Sequence, residues 1–328
     1  MKERIVYIDN LKALAIFSVV VGHVFYFTWN KYSDIVWNHL IVAYNMPLFF
    51  FLSGLFVKDD FSLKKLGRKA KSLLIPFFTI GGIYSFVKNG FSELFYGGSH
   101  FGYWFLPTLF TMFVLFYIRT LLINSINRCI KVSNAFACLF DIIYMLCVWG
   151  ISKVLSNYIH EPIYNLLCLG NIANYILFFW MGFLVAQNKT KIWSIIRTKI
   201  EVIYAFCFIL FIIIFYYNNY CCIESRGFIS KILAIFVIIL LMIFFKNTPI
   251  RNIKVQHVIS YVGSHTLEIY VLQYFFLPVS YQLGESAMGG VNCLALSMIE
   301  GFLTIVLCVA IIKIVDINKY LNLIFFGK

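Results

Sequence analysis

The stretch YIDNLKALAIFSVVVGHVFYF, residues 7–27, decides the fold class because it is an apolar run of membrane length. About 20 mostly apolar residues are enough for an α-helix to cross the hydrocarbon core of a bilayer. Lys12 and His23 lie in this run. Their separation gives a rise of roughly 16 Å and about three helical turns, so both side chains project from nearly the same face. Ionisable residues inside a membrane are costly, which makes this pair the first candidate for a functional site.

The composition extends this interpretation to the whole chain. Of 328 residues, 62% are hydrophobic and only 12% are charged, whereas a soluble domain usually holds about 25% charged residues. We predict an all-α, polytopic membrane bundle of about ten transmembrane helices that forms a single integral-membrane domain over residues 1–328. The predicted spans lie near 9–28, 41–57, 73–87, 103–123, 135–155, 163–186, 200–217, 228–245, 258–281 and 292–312.

Basic residues are concentrated in the predicted loops on one side of the membrane. With the N-terminus inside, 22 of the 27 Lys and Arg residues, Arg119 among them, fall in cytoplasmic segments or adjoining helix ends. Such an excess marks the cytoplasmic face of membrane proteins. We therefore expect a multi-pass protein of a plasma or inner membrane, with both termini cytoplasmic and the lipid bilayer as a partner. Topology explains the net charge of +13, so we expect no nucleic-acid partner.

The longest predicted cytoplasmic connection is KDDFSLKKLGRKAKS, residues 58–72, in which six residues are basic. Arg68 and Lys71 would share a helix face if residues 62–74 are helical. Arg offers a planar fork for phosphate oxygens and Lys a mobile point charge. Two interpretations remain open, because the same charges could form an anion site or could only fix the topology.

Three carboxylates fall inside predicted spans: Asp141, Glu268 and Glu300. A buried carboxylate needs a partner or a proton. We expect structural roles for these acids, least firmly for Glu268.

Other chemistry-bearing residues give weaker signals. Three histidines fall in predicted outer loops, where surface or interfacial roles are expected: His39, His100 and His160. The chain has no HExxH motif and no CxxC pair, so we predict no metal site. Cys221 or Cys222 could pair with Cys293 in a disulfide, although the preferred interpretation of all nine cysteines is small apolar side chains.

Several motifs together resemble those of the acyltransferase-3 superfamily of bacterial integral-membrane acyltransferases, most closely its short, fucose-4-O-acetylase-like members. Lys12 and His23 match the opening pattern of a basic residue, ten residues and a histidine. Four further stretches are similar to family motifs in family order: MPLFFFLSGLF (46–56), RKAKSLLIPFF (68–78), YWFLPTLF (103–110) and GSHTLEIYVLQ (263–273). The chain departs from the pattern at Asn45 and Gln273, where the family often has histidine, and at Lys71, where it has arginine.

The resemblance implies acyl transfer from cytoplasmic acyl-CoA, usually acetyl-CoA, to a hydroxyl of an extracytoplasmic or lipid-linked glycan, as in envelope polysaccharide modification. Lys12, Arg68 and Lys71 would hold the nucleotide phosphates. His23 would act as the general base or as an acyl carrier. Candidate substrate-binding residues are Asn45, Ser53, Trp104 and Glu268.

A competing interpretation is a multispan transporter or flippase of a glycan intermediate, with His23 in a proton relay. The absence of an obvious internal repeat in the sequence counts against many transporter architectures. Replacing His23 would abolish acylation but not glycan export if the protein is an enzyme. The sequence leaves open the acceptor sugar, the acyl chain of the donor, and the oligomeric state, a homo-oligomer included.

Overall fold

The structure, a computed structural model, describes residues 6–30, 35–129, 133–189, 193–194, 198–220, 226–277 and 290–328. Within these residues, nine helices are long and apolar enough to cross a membrane. The predicted all-α polytopic bundle is therefore confirmed. Cys221 and Cys222 lie outside the described residues.

The described residues form fifteen α-helices, numbered in chain order. They are α1 (Val6–Thr28), α2 (Val36–Leu55), α3 (Leu63–Pro76), α4 (Gly82–Val87), α5 (Phe91–Tyr96), α6 (Phe105–Cys129), α7 (Asn134–Val154), α8 (Glu161–Leu166), α9 (Leu169–Gln187), α10 (Ile200–Tyr220), α11 (Arg226–Asn247), α12 (Ile253–Ser264), α13 (Thr266–Leu272), α14 (Gly290–Asp316) and α15 (Lys319–Phe326).

The helices form two compact units. The first unit comprises Met1–Leu52 and Asn188–Lys313, and the second comprises Ser53–Gln187 and Ile314–Lys328. The prediction of a single domain stays a prediction.

Helix α1 is the centre of the first unit because it packs against α11, α12 and α13. A side chain at Gly263 of α12 would collide with the backbone carbonyl of Asp9, so the two helices approach closely there. Small residues permit this kind of approach between membrane helices. The amides of Asn10 and Gln256 add hydrogen bonds of 2.7 and 3.3 Å across the same contact.

The predicted ninth span, 258–281, is wrong as one continuous helix. The described part is broken between α12 and α13 at His265, whose φ of −113° and ψ of 29° are not helical. The His265 ring turns back instead, and its Nδ1 atom lies 2.8 Å from the carbonyl oxygen of Tyr261. Polar groups that bond the nearby backbone compete with helix formation in this way.

The start of α14 packs against the other end of α1. Trp29 donates a hydrogen bond of 2.9 Å to the Ser297 hydroxyl. Thr28 donates one of 3.0 Å to the Glu300 carboxylate, which gives this intramembrane acid a polar partner. Both contacts join polar groups within the bundle, where water does not compete for them.

The second unit has an aromatic core around a buried ion pair. Arg119 of α6 donates two hydrogen bonds, of 2.5 and 2.7 Å, to Asp141 of α7, and a third of 2.8 Å to Asp59. Asp59 also accepts from Gln187 at 2.8 Å. The Arg119 side chain is only 1% exposed and is paired, and its expected placement on the cytoplasmic side stays a prediction.

Helix α3 begins ten residues before the predicted third span. The Ser62 hydroxyl caps it by accepting a hydrogen bond from the Lys65 amide, which is a strong start signal for a helix. Helix α15 packs against α3. Gly327 ends α15 at a φ of 68°, and a side chain there would strike the Lys71 carbonyl.

His100 is buried, with 1% of its surface exposed, so the expected surface role is wrong. Its two ring nitrogens lie 2.8 Å from the carbonyl oxygen of Leu94 and 3.0 Å from that of Asn165. The imidazole therefore links the loop after α5 to α8. Burial is possible because a backbone carbonyl accepts from the ring N–H.

Candidate active site

His23 lies near the end of α1 and has a polar partner at each ring nitrogen. Nδ1 is 3.0 Å from the side-chain oxygen of Gln273, and Nε2 is 3.1 Å from the Tyr274 hydroxyl. Both partners belong to the short helical turn that follows α13. The His23 and Tyr274 rings are also in contact, with centroids 5.0 Å apart. Two consecutive residues in the turn after α13 thus hold the His23 imidazole of α1.

The Gln273 amide is held in one orientation by a second hydrogen bond. Its nitrogen donates to the carbonyl oxygen of Tyr270 at 2.9 Å, so its oxygen is the atom that faces His23. The side chain is fully buried. An amide fixed in this way can only accept from the imidazole, never donate to it.

This arrangement sets the tautomer of the neutral His23 ring. Because the Gln273 oxygen is an acceptor, Nδ1 carries the proton and donates to it. Nε2 is then the atom with the lone pair, and the Tyr274 hydroxyl donates to it. A histidine with a protonated, oriented Nδ1 and a basic Nε2 is the arrangement that general-base catalysis requires.

Lys12 lies on the same helix as His23 and is partly exposed. The neighbouring residues Asp9, Asn10 and Leu11 are buried against the rest of the first unit. Because residues 6–28 form one helix, the Lys12 side chain begins about three turns from the His23 imidazole. Cations on long stems at helix ends can reach the polar interface of a bilayer.

Two predicted substrate-binding residues, Asn45 and Glu268, belong to the first unit. Asn45 is buried in α2, and its side-chain oxygen accepts from the Met46 amide at 2.6 Å. A side chain added at Gly22 would lie 3.6 Å from the Asn45 amide nitrogen, so this amide lies beside the residue preceding His23. Glu268 is 2% exposed in α13, which contacts α1.

The predicted phosphate-binding residues Arg68 and Lys71 lie on α3 in the second unit, and both side chains are exposed. The condition set by the sequence, a helix over this segment, is met. Lys65 of the same helix differs because it forms an ion pair of 2.6 Å with Asp60. The hydrogen bond from Lys65 lowers the pKa of Asp60, so this pair is ionised at neutral pH.

Two further predicted substrate-binding residues, Ser53 and Trp104, belong to the second unit. Ser53 is partly exposed near the end of α2. The Trp104 ring stacks on Tyr175 with centroids 5.2 Å apart. The predicted residues thus fall into two groups, with Lys12, His23, Asn45 and Glu268 in the first unit.

The chain matches the acyltransferase domain family over residues 5–314. That range contains His23 and both of its partners. The protein belongs to the acyltransferase-3 family. No curated protein and no solved structure matches the chain. The family match and the membrane-length helices together show that the protein is a multi-pass membrane acyltransferase. The family resemblance predicted from its motifs is confirmed.

The contacts of Gln273 and Tyr274 with His23 were not predicted from the sequence. In the sequence, Gln273 stands out only as a departure from the family pattern, at a position where histidine is common. A signal was present, because the adjacent residues form a polar pair, Gln–Tyr, inside the apolar stretch YVLQYFF. Polar groups in such a stretch need partners, but the stretch itself does not specify which residues they are.

Proposed function

We propose that this acyltransferase moves an acetyl group from cytoplasmic acetyl-CoA to a hydroxyl of an extracytoplasmic or lipid-linked glycan, with His23 as the general base. The observation that carries the proposal is the pair of hydrogen bonds at His23, of 3.0 Å from Nδ1 and 3.1 Å from Nε2. They leave Nε2 as the basic atom. A base placed in this way typically contributes about 10²–10⁴-fold to a rate.

A role as general base fits the contacts of His23 better than a role as acyl carrier. An acyl carrier would need Nε2 to attack the thioester directly, yet the Tyr274 hydroxyl already occupies that atom's lone pair. A base can still act there, because a proton can reach Nε2 through the bound hydroxyl. The Gln273 oxygen accepts from Nδ1–H, so it also stabilises the imidazolium that forms when Nε2 takes a proton.

Acetyl-CoA carries several phosphate charges, and exposed cations suit them. Arg68 and Lys71 supply two exposed cations on α3, and the partly exposed Lys12 lies on α1. We assign all three to donor binding. Asn45, Ser53, Trp104 and Glu268 are assigned to the acyl group and the acceptor. The orientation with both termini in the cytoplasm, in a plasma or inner membrane, completes the proposal.

The test uses the protein purified in nanodiscs with radiolabelled acetyl-CoA, and octyl glucoside as a model of a lipid-linked sugar. We expect CoA release with label transferred to the sugar, a loss of at least a hundredfold in His23→Ala, and no label on the protein. Label retained on the wild type would contradict the role of His23 as a base and favour an acyl carrier. If neither acetyl-CoA nor succinyl-CoA is cleaved, the transporter interpretation replaces this one.

Donor binding is tested by single replacements. Arg68→Ala, Lys71→Ala and Lys12→Ala should each raise the KM for acetyl-CoA roughly tenfold, the loss expected when about 1.4 kcal/mol of charge-assisted hydrogen bonding disappears. Lys65→Ala is the matched control, because the Lys65 charge is already paired with Asp60. An unchanged KM in the three variants would remove these residues from the donor site.

A further inference from the structure

The Tyr274 side chain contacts the basic atom of His23. Its hydroxyl lies 3.1 Å from Nε2, and with Nδ1 protonated towards Gln273 the only direction for this hydrogen bond is from Tyr274 to Nε2. The lone pair of Nε2 is thereby used. An acceptor hydroxyl can give its proton to His23 only by displacing Tyr274 or by passing the proton through it.

Displacement of Tyr274 is opposed by its packing. The residue is 5% exposed, follows the fully buried Gln273 in a helical turn, and contacts the rings of His23 and Tyr270. Moving the ring would require repacking of the contact between α13 and α1. Buried side chains in close-packed surroundings have few alternative positions.

Passage through Tyr274 needs no such movement. A phenol hydroxyl has one proton to donate and lone pairs that accept. While it donates to Nε2, its oxygen can accept from a second hydroxyl. The donor–acceptor distance of 3.1 Å to Nε2 is within the range for proton transfer between a base and its partner.

We infer that Tyr274 is a catalytic residue that relays the proton of the acceptor hydroxyl to His23 Nε2. The inference deepens the proposed function and rests on it. The acceptor oxygen forms a bond to the acyl carbon while the C–S bond of the thioester breaks. The acceptor proton passes to the Tyr274 oxygen, and the Tyr274 proton passes to Nε2. The CoA thiolate then takes up the proton that His23 returns through the same hydroxyl, which leaves both residues as they began.

The test compares Tyr274→Phe with the wild type in nanodiscs, with acetyl-CoA as donor and octyl glucoside as acceptor. The replacement removes only the hydroxyl. We expect kcat to fall by about 10²–10⁴-fold, the usual contribution of acid–base catalysis, with little change in the KM for acetyl-CoA. The double variant with His23→Ala should be no slower than His23→Ala alone, because residues that act as a unit are not additive.

Tyr144→Phe is the matched control. The Tyr144 hydroxyl donates to the Leu115 carbonyl at 2.8 Å, so this change also removes an intramembrane tyrosine hydrogen bond, but in the second unit. It should leave kcat unchanged. A Tyr274→Phe rate within threefold of the wild type would overturn the relay while leaving the proposed function intact. An inactive wild type would overturn both.

A second measurement separates catalysis from folding. Site-specific replacement of Tyr274 by 3,5-difluorotyrosine keeps the ring and the hydroxyl but makes the phenol more acidic. A relay predicts a changed pH–rate profile for acyl transfer. A purely structural hydroxyl predicts the wild-type profile, and that result would overturn the inference even if Tyr274→Phe were too unstable to purify.

Discussion

Arg119 and Asp141 are joined by two parallel hydrogen bonds, of 2.5 and 2.7 Å, and their side chains are 1% and 0% exposed. Such a pair is costly to bury, and removing one partner leaves an uncompensated charge. We expect Arg119→Met, which leaves Asp141 buried without its cation, to lower the free energy of unfolding by about 3–5 kcal/mol. Asp141→Leu should cost less, because Asp59 still pairs with Arg119. Thermal unfolding in detergent would measure the loss.

The double variant of the same pair gives a sharper result. Arg119→Met with Asp141→Leu should be more stable than either single variant, because apolar side chains of similar volume replace a buried pair at little cost. The exposed pair between Lys65 and Asp60 is the control, and Asp60→Asn should leave the melting temperature unchanged. Strictly additive losses at Arg119 and Asp141 would contradict this account.

The close contact between α1 and α12 makes Gly263 intolerant of a side chain. A methyl group there would meet the carbonyl of Asp9, and overpacking typically costs about 1–3 kcal/mol. We expect Gly263→Ala to lower the melting temperature and to reduce acyl transfer, since α1 carries His23. Gly150→Ala, which meets no atom within 4 Å, is the control. Equal melting temperatures for both variants would argue against the close approach.

Gln273 should act through the tautomer of His23 rather than through substrate binding. In Gln273→Leu, Nδ1 loses the acceptor at 3.0 Å, so both tautomers of the ring become populated. We expect kcat to fall at least tenfold while the KM for acetyl-CoA stays the same. NMR of ¹⁵N-labelled histidine should show the altered tautomer. A change confined to KM would show that Gln273 serves binding instead.

The contact between α15 and α3 predicts that the C-terminal helix restrains the helix that bears Arg68 and Lys71. Phe326 is 1% exposed, and truncating a buried phenylalanine typically costs about 3–5 kcal/mol. We expect Phe326→Ala to speed hydrogen exchange in residues 63–76. Ile324→Ala, at a position 53% exposed, should not. Equal exchange in both variants would mean that α15 does not restrain α3.

The fold class was predictable because apolar runs of membrane length and few charges leave one solution, a bundle of helices. The placement of His23 on the first helix, about three turns from Lys12, followed from the geometry of an α-helix. The break at His265 was not predictable, since it depends on a backbone contact of its own ring. Nor was the pairing of Arg119 with Asp59, because counting charges on each side of a membrane does not specify which side chain a basic residue contacts.

The partners of His23 could not be predicted either, because they lie far from it in the sequence. Hydropathy describes each segment alone, whereas the site is formed by a contact between α1 and a turn 250 residues away. No local pattern specifies such a pairing, although the polar Gln–Tyr pair in an apolar stretch required partners of some kind.

That separation has a consequence for biosynthesis. His23 enters the membrane with the first helix, but Gln273 and Tyr274 follow 250 and 251 positions later. At synthesis rates of about 5–20 residues per second, the imidazole waits roughly 12–50 seconds for its partners. During that interval another polar group, such as water or a lipid headgroup, must satisfy it. A chain stalled before residue 273 would therefore hold an inserted imidazole without the two hydrogen-bond partners that it has in the folded protein.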